Sequence, residues 1–478
     1  MAVSKHMGEF YIDGRWVKPS AGATSMGVEN PATEEIVAEV ALGSEEDADR
    51  AILAARAAFD GFTNTPVAER IALLKRVHEI YLSRAEEFAE AISTEMGAPM
   101  DFARSAQVWA GDVHIGATIK AGEEFEWEHQ RGTTRVVHEG IGVAGMITPW
   151  NWPMNQIACK VAPAIVAGCT MVLKPSEIAP LSGTLFAEVM EAAGTPKGVF
   201  NLVNGMGPTV GARLSSHPQV DMVSFTGSTR AGIQVATNAA PTVKRVAQEL
   251  GGKSANIILE SADMEAAVTG GVDGCFGNSG QSCDAPTRMF VPRKWHRDAL
   301  EVAKAKAESM VTGDPRDLAT NLGPVISRVQ FDKIQGLIQK GIDEGATLVT
   351  GGPGRPKGLN RGWYVQPTIF GDVTNAMTIA REEIFGPVLS ILPYDDLETA
   401  IAEANDTVYG LAAYVQGALP EARAVARRLR AGQVSLNYPD WDVFAPFGGY
   451  KQSGNGREYA DWGIHDFCEV KGIVGYGA

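Results

Sequence analysis

Cys283 lies in the run FGNSGQSCDAPTR, residues 276–288, directly after Gly, Gln and Ser. The turn is small and polar and has no helical apolar periodicity, so the thiol there is reachable. A thiolate is an intrinsically strong nucleophile. Glu249, in QELGGKS, precedes two glycines that let the backbone turn tightly or let a ligand come close. A carboxylate near such a cysteine can accept its proton, or activate water to cleave an acyl-enzyme. Asn151 stands between two prolines in TPWNWP, and a pinned amide is a good donor to a developing oxyanion. Each piece alone also has an ordinary structural reading. A lone Cys is more often buried, an isolated Glu-Leu-Gly-Gly is a helix cap or surface feature, and TPWNWP is a rigid turn with packed tryptophans.

Three further segments suit a nucleotide. Lys174 and Glu177, in KPSE, follow the strand-like TMVLK, and strand ends of an open α/β sheet are where nucleotides bind. Lys174 can donate to ribose hydroxyls and Glu177 can accept from them, and an acidic side chain there disfavours a 2′-phosphate. This favours NAD, with NADP possible. FTGSTRAG follows a strand and opens a helix, whose first N–H groups can hold a phosphate. GMGPTVG, residues 205–211, contains G-x-G-x-x-x-G, a weak match by itself. A solvated Lys–Glu pair is the plain alternative for KPSE.

Alternating short β-branched runs and amphipathic stretches must position these groups. Strands are expected at 170–174, 199–203, 222–226 and 254–259, with helices at 181–193 and 228–239. After about residue 296 come helices at 296–311 and 326–344 and strands at 347–350 and 387–392. A helix at 395–406, a strand at 411–416, a helix at 420–430 and a strand at 433–437 follow. This βαβ rhythm predicts two α/β lobes built on mostly parallel sheets. Helices near 46–60 and 66–96 pack on the first lobe. The alternating run EFEWEHQRGTTRVVHEG suits a two-stranded ribbon, which is marginal alone and must pair elsewhere, as must the apolar GIVGYG.

At 478 residues, 45% hydrophobic and 21% charged, the chain can bury more than one core. Its net charge of −15 repels nucleic acid and anionic lipid, so neither is an expected partner. The beginning, MAVSKHMGEFYIDGRWV, has no signal-peptide core, and runs such as 161–169 are too short to span a bilayer. The five cysteines, at 159, 169, 275, 283 and 468, include no C-x-x-C pair. Disulfides and a metal site are not expected, and a reducing, cytoplasmic compartment fits.

Taken together, the pieces resemble the aldehyde dehydrogenase superfamily over essentially the whole chain. TPWNWP, KPSE, GMGPTVG, FTGST, ELGGKS, GQSC, EEIFGPV and PFGGYKQSGNGRE occur in the family's order, and the 34 positions from Glu249 to Cys283 match its spacing. The resemblance implies oxidation of an aldehyde to an acid through a thioester on Cys283, with hydride passed to NAD. Glu249 would be the general base, and Asn151 with the Cys283 N–H the oxyanion hole. Lys160 and Glu458 would form a proton relay behind the base. The cofactor would meet Thr148, Pro149 and Trp150, Lys174, Ser176 and Glu177, Gly207, and Phe225, Thr226, Gly227 and Ser228. Leu250, Gly251, Glu383 and Phe385 would complete that site. The implied fold is a Rossmann-like cofactor domain at 1–119 and 141–250 with an α/β catalytic domain at 251–450. A small β oligomerisation arm and C-terminal segment at 120–140 and 451–478 would build a homodimer or homotetramer.

Residues flanking Asn151 and Cys283 would line the substrate tunnel: Trp152, Asn155, Gln156, Cys159, Ser282 and Asp284, joined by Trp441 and Phe447. The aromatic walls suit an apolar or aromatic aldehyde, and the absence of Lys and Arg disfavours a semialdehyde. Asp284 and Gln248 depart from the small or apolar residues usual beside the nucleophile and the base. Three rivals remain: a CoA-acylating dehydrogenase, a non-catalytic scaffold of the same fold, and a cysteine hydrolase. The last is poorly served by eight scattered histidines.

Overall fold

The computed structural model describes residues 3–22 and 24–477. The first lobe is an eight-stranded sheet. Across it run Gly454–Asn455, Arg245–Glu249, Met222–Thr226, Val143–Ile147, Thr170–Lys174, Phe200–Leu202, Phe10–Ile12 and Arg15–Val17. The five strands from Arg245–Glu249 to Phe200–Leu202 are mutually parallel. They are buried on both faces by helices, which is why they read as near-continuous apolar runs such as VAGMI and TMVLK. From Val143–Ile147 the chain moves outward in one direction to Thr170–Lys174 and Phe200–Leu202. It then crosses back to lay Met222–Thr226 and Arg245–Glu249 on the other side. The strand order therefore reverses at Val143–Ile147, and a ligand crevice opens at the carboxyl ends beside such a reversal.

The second lobe is a seven-stranded sheet in the order Thr347–Thr350, Thr368–Gly371, Val388–Tyr394, Arg288–Pro292, Ala255–Ile258, Ala412–Gln416 and Gln433–Leu436. Only the edge strand Thr347–Thr350 runs antiparallel. Each lobe has apolar clusters of its own. Cys283 and Phe385 stand just before strands of this second sheet, whereas Asn151 and Gly227 stand just after strands of the first. The amino ends of one sheet thus face the carboxyl ends of the other.

The expected ribbon is present as Glu128–Arg131 paired with Thr134–Gly140. Helix Trp109–Glu124 fills the first residues assigned to the arm. The C-terminal strand is Cys468–Ile473 rather than GIVGYG at 472–477, and it pairs antiparallel with Thr134–Gly140 in a three-stranded sheet. The helix expected over 66–96 is two, Val67–Ser83 and Ala85–Met96. The break is at Arg84, whose φ of −110° and ψ of 14° leave the helical region. Its guanidinium reaches Glu87 and, across the chain, Glu188. No helix among the described residues is long and apolar enough to cross a membrane.

Candidate active site

The loop before Arg288–Pro292 carries Cys283 and is held in a costly conformation. Asn278, Ser279 and Gly280 all have positive φ, at 55°, 55° and 72°. Two consecutive non-glycine residues in the left-handed region each cost on the order of 1 kcal/mol, so something must over-determine them. A buried amide network does. The Asn278 side-chain amide donates to the carbonyls of Asn151 and Gln281, at 2.9 and 3.2 Å. Gln107 donates to the Asn151 carbonyl and to Asn278 Oδ1. Gln281 Oε1 accepts from the Ile326 N–H at 2.9 Å. At Gly280 an added Cβ would lie 2.2 Å from the Gly386 carbonyl, so the loop seats directly on the segment that carries Phe385.

The same network fixes Asn151. Its side-chain Nδ2 donates one hydrogen to the Gln281 carbonyl at 3.0 Å, which leaves its second hydrogen for another acceptor. Trp152 beside it donates its indole N–H to Ser282 Oγ at 2.9 Å. The QELGGKS segment closes on Cys283 from the other side. A Cβ at Gly252 would lie 2.2 Å from the Cys283 carbonyl, and one at Gly251 would meet the Glu383 carboxyl at 2.7 Å. Glu383 Oε1 accepts from the Gly252 N–H at 2.8 Å. The two glycines therefore let three functional segments approach within van der Waals contact.

Two cavities meet at this point, and Cys283 lines both. One, about 590 Å³ including its mouth, is the crevice at the strand reversal. It is walled by Pro149, Trp150, Asn151, Thr226, Gly227, Ser228, Leu250, Gly251, Glu383 and Phe385. Phe385 adopts a φ of 62° and meets Trp150 edge-to-face at 5.4 Å. Ser228 caps helix Thr229–Ala239, whose amino end opens toward this crevice. Gln330 and Lys333 also line it and went unmarked in the sequence, where helix Arg328–Asp343 reads as an ordinary solvated amphipath. Thr148, Lys174, Ser176, Glu177 and Gly207 lie outside this wall. Lys174 pairs with Ile147 one strand over, and its ammonium donates to the Pro175 carbonyl and to Glu177 at 2.8 and 3.1 Å. Burial lowers the Lys174 pKa, and Glu177 opposes that shift. Phe225 points into the core beneath Gly227, where an added Cβ would sit 2.7 Å from its ring.

The second cavity, about 1000 Å³ including its mouth, is lined by Trp152, Asn155, Gln156, Ser282, Asp284, Trp441 and Phe447. Phe102, Trp109, Tyr414 and Tyr459 add rings that the sequence reading missed. The first two bracket a π-helical segment, Ala103–Val108, for which DFARSAQVWA gives no clear periodicity. Cys159 does not line the cavity. It is buried, and its thiol donates to Glu458 Oε2 at 3.1 Å.

Behind Cys283 lies a buried charged cluster. Lys160 donates to the Glu458 carboxylate, with both side chains largely sealed from solvent. Glu249 is only 4% exposed, and its Oε2 has no partner. Burial, and then the charge of Glu458, holds the Glu249 carboxyl well above the ordinary range, against the pull of Lys160 and Arg457. Burial also works against the charge on Lys160, yet Glu458, Cys159 and Glu249 together keep its ammonium above the usual lysine range. The Cys283 thiol is likewise pushed well above its normal value, by its walls first and then by Asp284, Glu383 and Glu249.

A profile of the aldehyde dehydrogenase family matches residues 16–473. A 3-succinoylsemialdehyde-pyridine dehydrogenase from a Pseudomonas species is 55% identical over 470 residues, 98% of each chain. Among solved structures, aldehyde dehydrogenase C from Pseudomonas syringae, a Cys-to-Ala variant complexed with NAD+ and octanal, superposes with a TM-score of 0.98. It is 53% identical and covers 99% of this chain and 98% of its own. An aldehyde dehydrogenase from Bartonella henselae gives a TM-score of 0.96 at 50% identity, with 98% of each chain covered. With matched motifs, matched fold and nearly full coverage in agreement, the chain belongs to the aldehyde dehydrogenase family.

Proposed function

We propose that this enzyme is an NAD-dependent aldehyde dehydrogenase in which Cys283 attacks the aldehyde, Asn151 stabilises the oxyanion and Glu249 activates the hydrolytic water. The observation that carries the reading is the position of Cys283 at the seam where a nucleotide-sized crevice meets an aromatic cavity. The crevice fits the cofactor. Its wall has a glycine, Gly227, at the mouth of a capped helix, the Glu383 carboxyl for ribose hydroxyls and the Trp150–Phe385 corner for a flat ring. NAD bound there supplies the hydride acceptor, as it is present in the Pseudomonas syringae structure.

The residues would then divide the work. The Cys283 thiol gives its proton to Glu249 as the sulfur bonds to the carbonyl carbon, and the Lys160–Glu458 pair relays that proton onward. The spare Asn151 N–H, with the Cys283 backbone N–H, receives the oxygen as it gains charge. One such donor is typically worth about 3–4 kcal/mol of barrier. Loss of hydride leaves a thioester on the sulfur. Glu249 takes a proton from water as the water attacks that thioester, and the Lys160–Glu458 pair behind it passes the proton on. The acid leaves and the thiol is restored. The Glu177 carboxylate, engaging Lys174, disfavours a cofactor bearing a 2′-phosphate.

The test is NADH absorbance on mixing the enzyme with a panel of aldehydes, with NAD and NADP in parallel and with and without CoA. Turnover with NAD in the absence of CoA is expected. Strict dependence on CoA would move the reading to the acylating class, and no reduction of either cofactor would overturn it.

We also infer a homo-oligomer. Cys468–Ile473 is an outer strand whose Val470 is 63% exposed, and the following Val474 and Tyr476 are 83% and 62% exposed. An uncovered edge strand is a template for a second chain, and a second copy of this chain supplies one. Light scattering at micromolar concentration should give a dimer or tetramer, and a monomer mass would refute it. All five cysteines are free thiols, which supports a reducing compartment such as the cytoplasm.

A further inference from the structure

Asp284 follows the nucleophile directly, so the two Cα atoms are about 3.8 Å apart. Its side chain lines the aromatic cavity, not the nucleotide crevice. Its one hydrogen-bonding neighbour is Tyr414, whose hydroxyl donates to the Asp284 carbonyl at 3.2 Å and lies 3.5 Å from Oδ2, too far for a strong bond. Among the described residues, no lysine, arginine or histidine lines the cavity. The other carboxylate on its wall, Asp273, is already paired with Lys306 at 2.8 Å. Asp284 is thus an acidic group facing a chamber with no cation to meet it.

Such a group is unfavourable for the chemistry as it stands. A negative charge beside Cys283 opposes formation of the thiolate. It also repels any aldehyde that carries a carboxylate. A positive charge delivered by the substrate would reverse both effects. The rest of the chamber suits that charge. Trp109 and Trp441, 39% and 49% exposed, stand on its wall, with Trp152, Phe102 and Tyr459 also lining it. Aromatic faces attract cations, and indole does so best. The overall charge of −15 draws cations toward the surface as well.

We propose that this cavity selects aldehydes bearing a cationic nitrogen within a few bonds of the carbonyl, with Asp284 as the residue that recognises the charge. The inference rests on Cys283 being the nucleophile. The cation sits against Asp284 while the carbonyl reaches the sulfur, and the tryptophan faces hold it on the way in.

The experiment compares two aldehydes of the same shape, trimethylammonioacetaldehyde and its uncharged isostere 3,3-dimethylbutanal, with concentrations corrected for hydration. The wild-type enzyme should favour the cation in kcat/KM by about tenfold or more. In Asp284→Asn the ratio should fall to within about threefold of unity, and Asp284→Glu should recover part of it. An NAD titration verifies that each variant is folded. A wild-type ratio at or below unity overturns the inference without reference to any variant. A ratio unchanged in an NAD-binding Asp284→Asn overturns the role of Asp284. Turnover of the neutral aldehyde reports the dehydrogenase chemistry separately, so the two readings fail distinguishably.

Discussion

Cys283→Ala abolishes NADH formation from every aldehyde, with kcat falling by about 10⁴-fold or more, as expected when the only nucleophile of a covalent mechanism is lost. The substitution removes one sulfur from a half-buried position and touches none of the amides that hold the loop. The Asn278–Asn151–Gln281 bonds and the Gly280–Gly386 contact are made by neighbouring residues. NAD should therefore bind the variant with an affinity within a few-fold of wild type. This pairing of results matters, because a variant that lost both activities would have lost the loop rather than the sulfur. Retained turnover with intact NAD binding would remove Cys283 from the mechanism. A hydrolase or a scaffold would behave differently: the first would need no NAD, and the second would have no turnover to lose.

The parts of this site that were legible in the sequence are those where backbone geometry restricts residue type. Gly251 and Gly252 read as close approaches, and they are: a side chain at either would strike Glu383 or the Cys283 carbonyl. TPWN reads as a proline-pinned turn and TGS as a loop leaving a strand, and both stand at the carboxyl ends beside the strand reversal. Side-chain direction was less legible. Asn155 and Cys159 both follow Asn151 closely, and as its flanking residues both are expected in the tunnel; they lie four apart on helix Pro153–Ala167. Every residue of that helix is buried, however, and Cys159 turns to Glu458, which lies 299 positions away in the chain. Gln107 was invisible for the same reason. Nothing local to AQVWA shows that its amide will bracket Asn151 and Asn278 from a separate helix. The break at Arg84 carries no glycine or proline, and its partner Glu188 is equally remote.

Glu249→Gln should cut steady-state turnover by about 10²–10⁴-fold, the range a positioned general base contributes, with NAD binding preserved. The sharper test lies in the pH profile. A carboxylic acid serves as a base only when deprotonated, that is, above its own pKa. Burial and the Glu458 charge raise that value for Glu249, so the acid limb of kcat should lie above the ordinary carboxylate range, with activity falling as pH drops through it. Glu458→Gln removes the nearby negative charge and leaves the Lys160 ammonium without its partner, so both changes favour ionised Glu249. The limb should then move to lower pH. The plateau should fall as well, because a carboxylate stabilised by a buried ammonium is a weaker base and the relay behind it has lost its acceptor. A limb that stayed in place in Glu458→Gln would show that the titrating group is not Glu249. A limb unchanged in residual Glu249→Gln activity would assign the hydrolytic base elsewhere. The two variants thus separate the group that takes the proton from the pair that sets its readiness to do so. They do this by the direction of a shift, which a merely structural loss at either position would not produce.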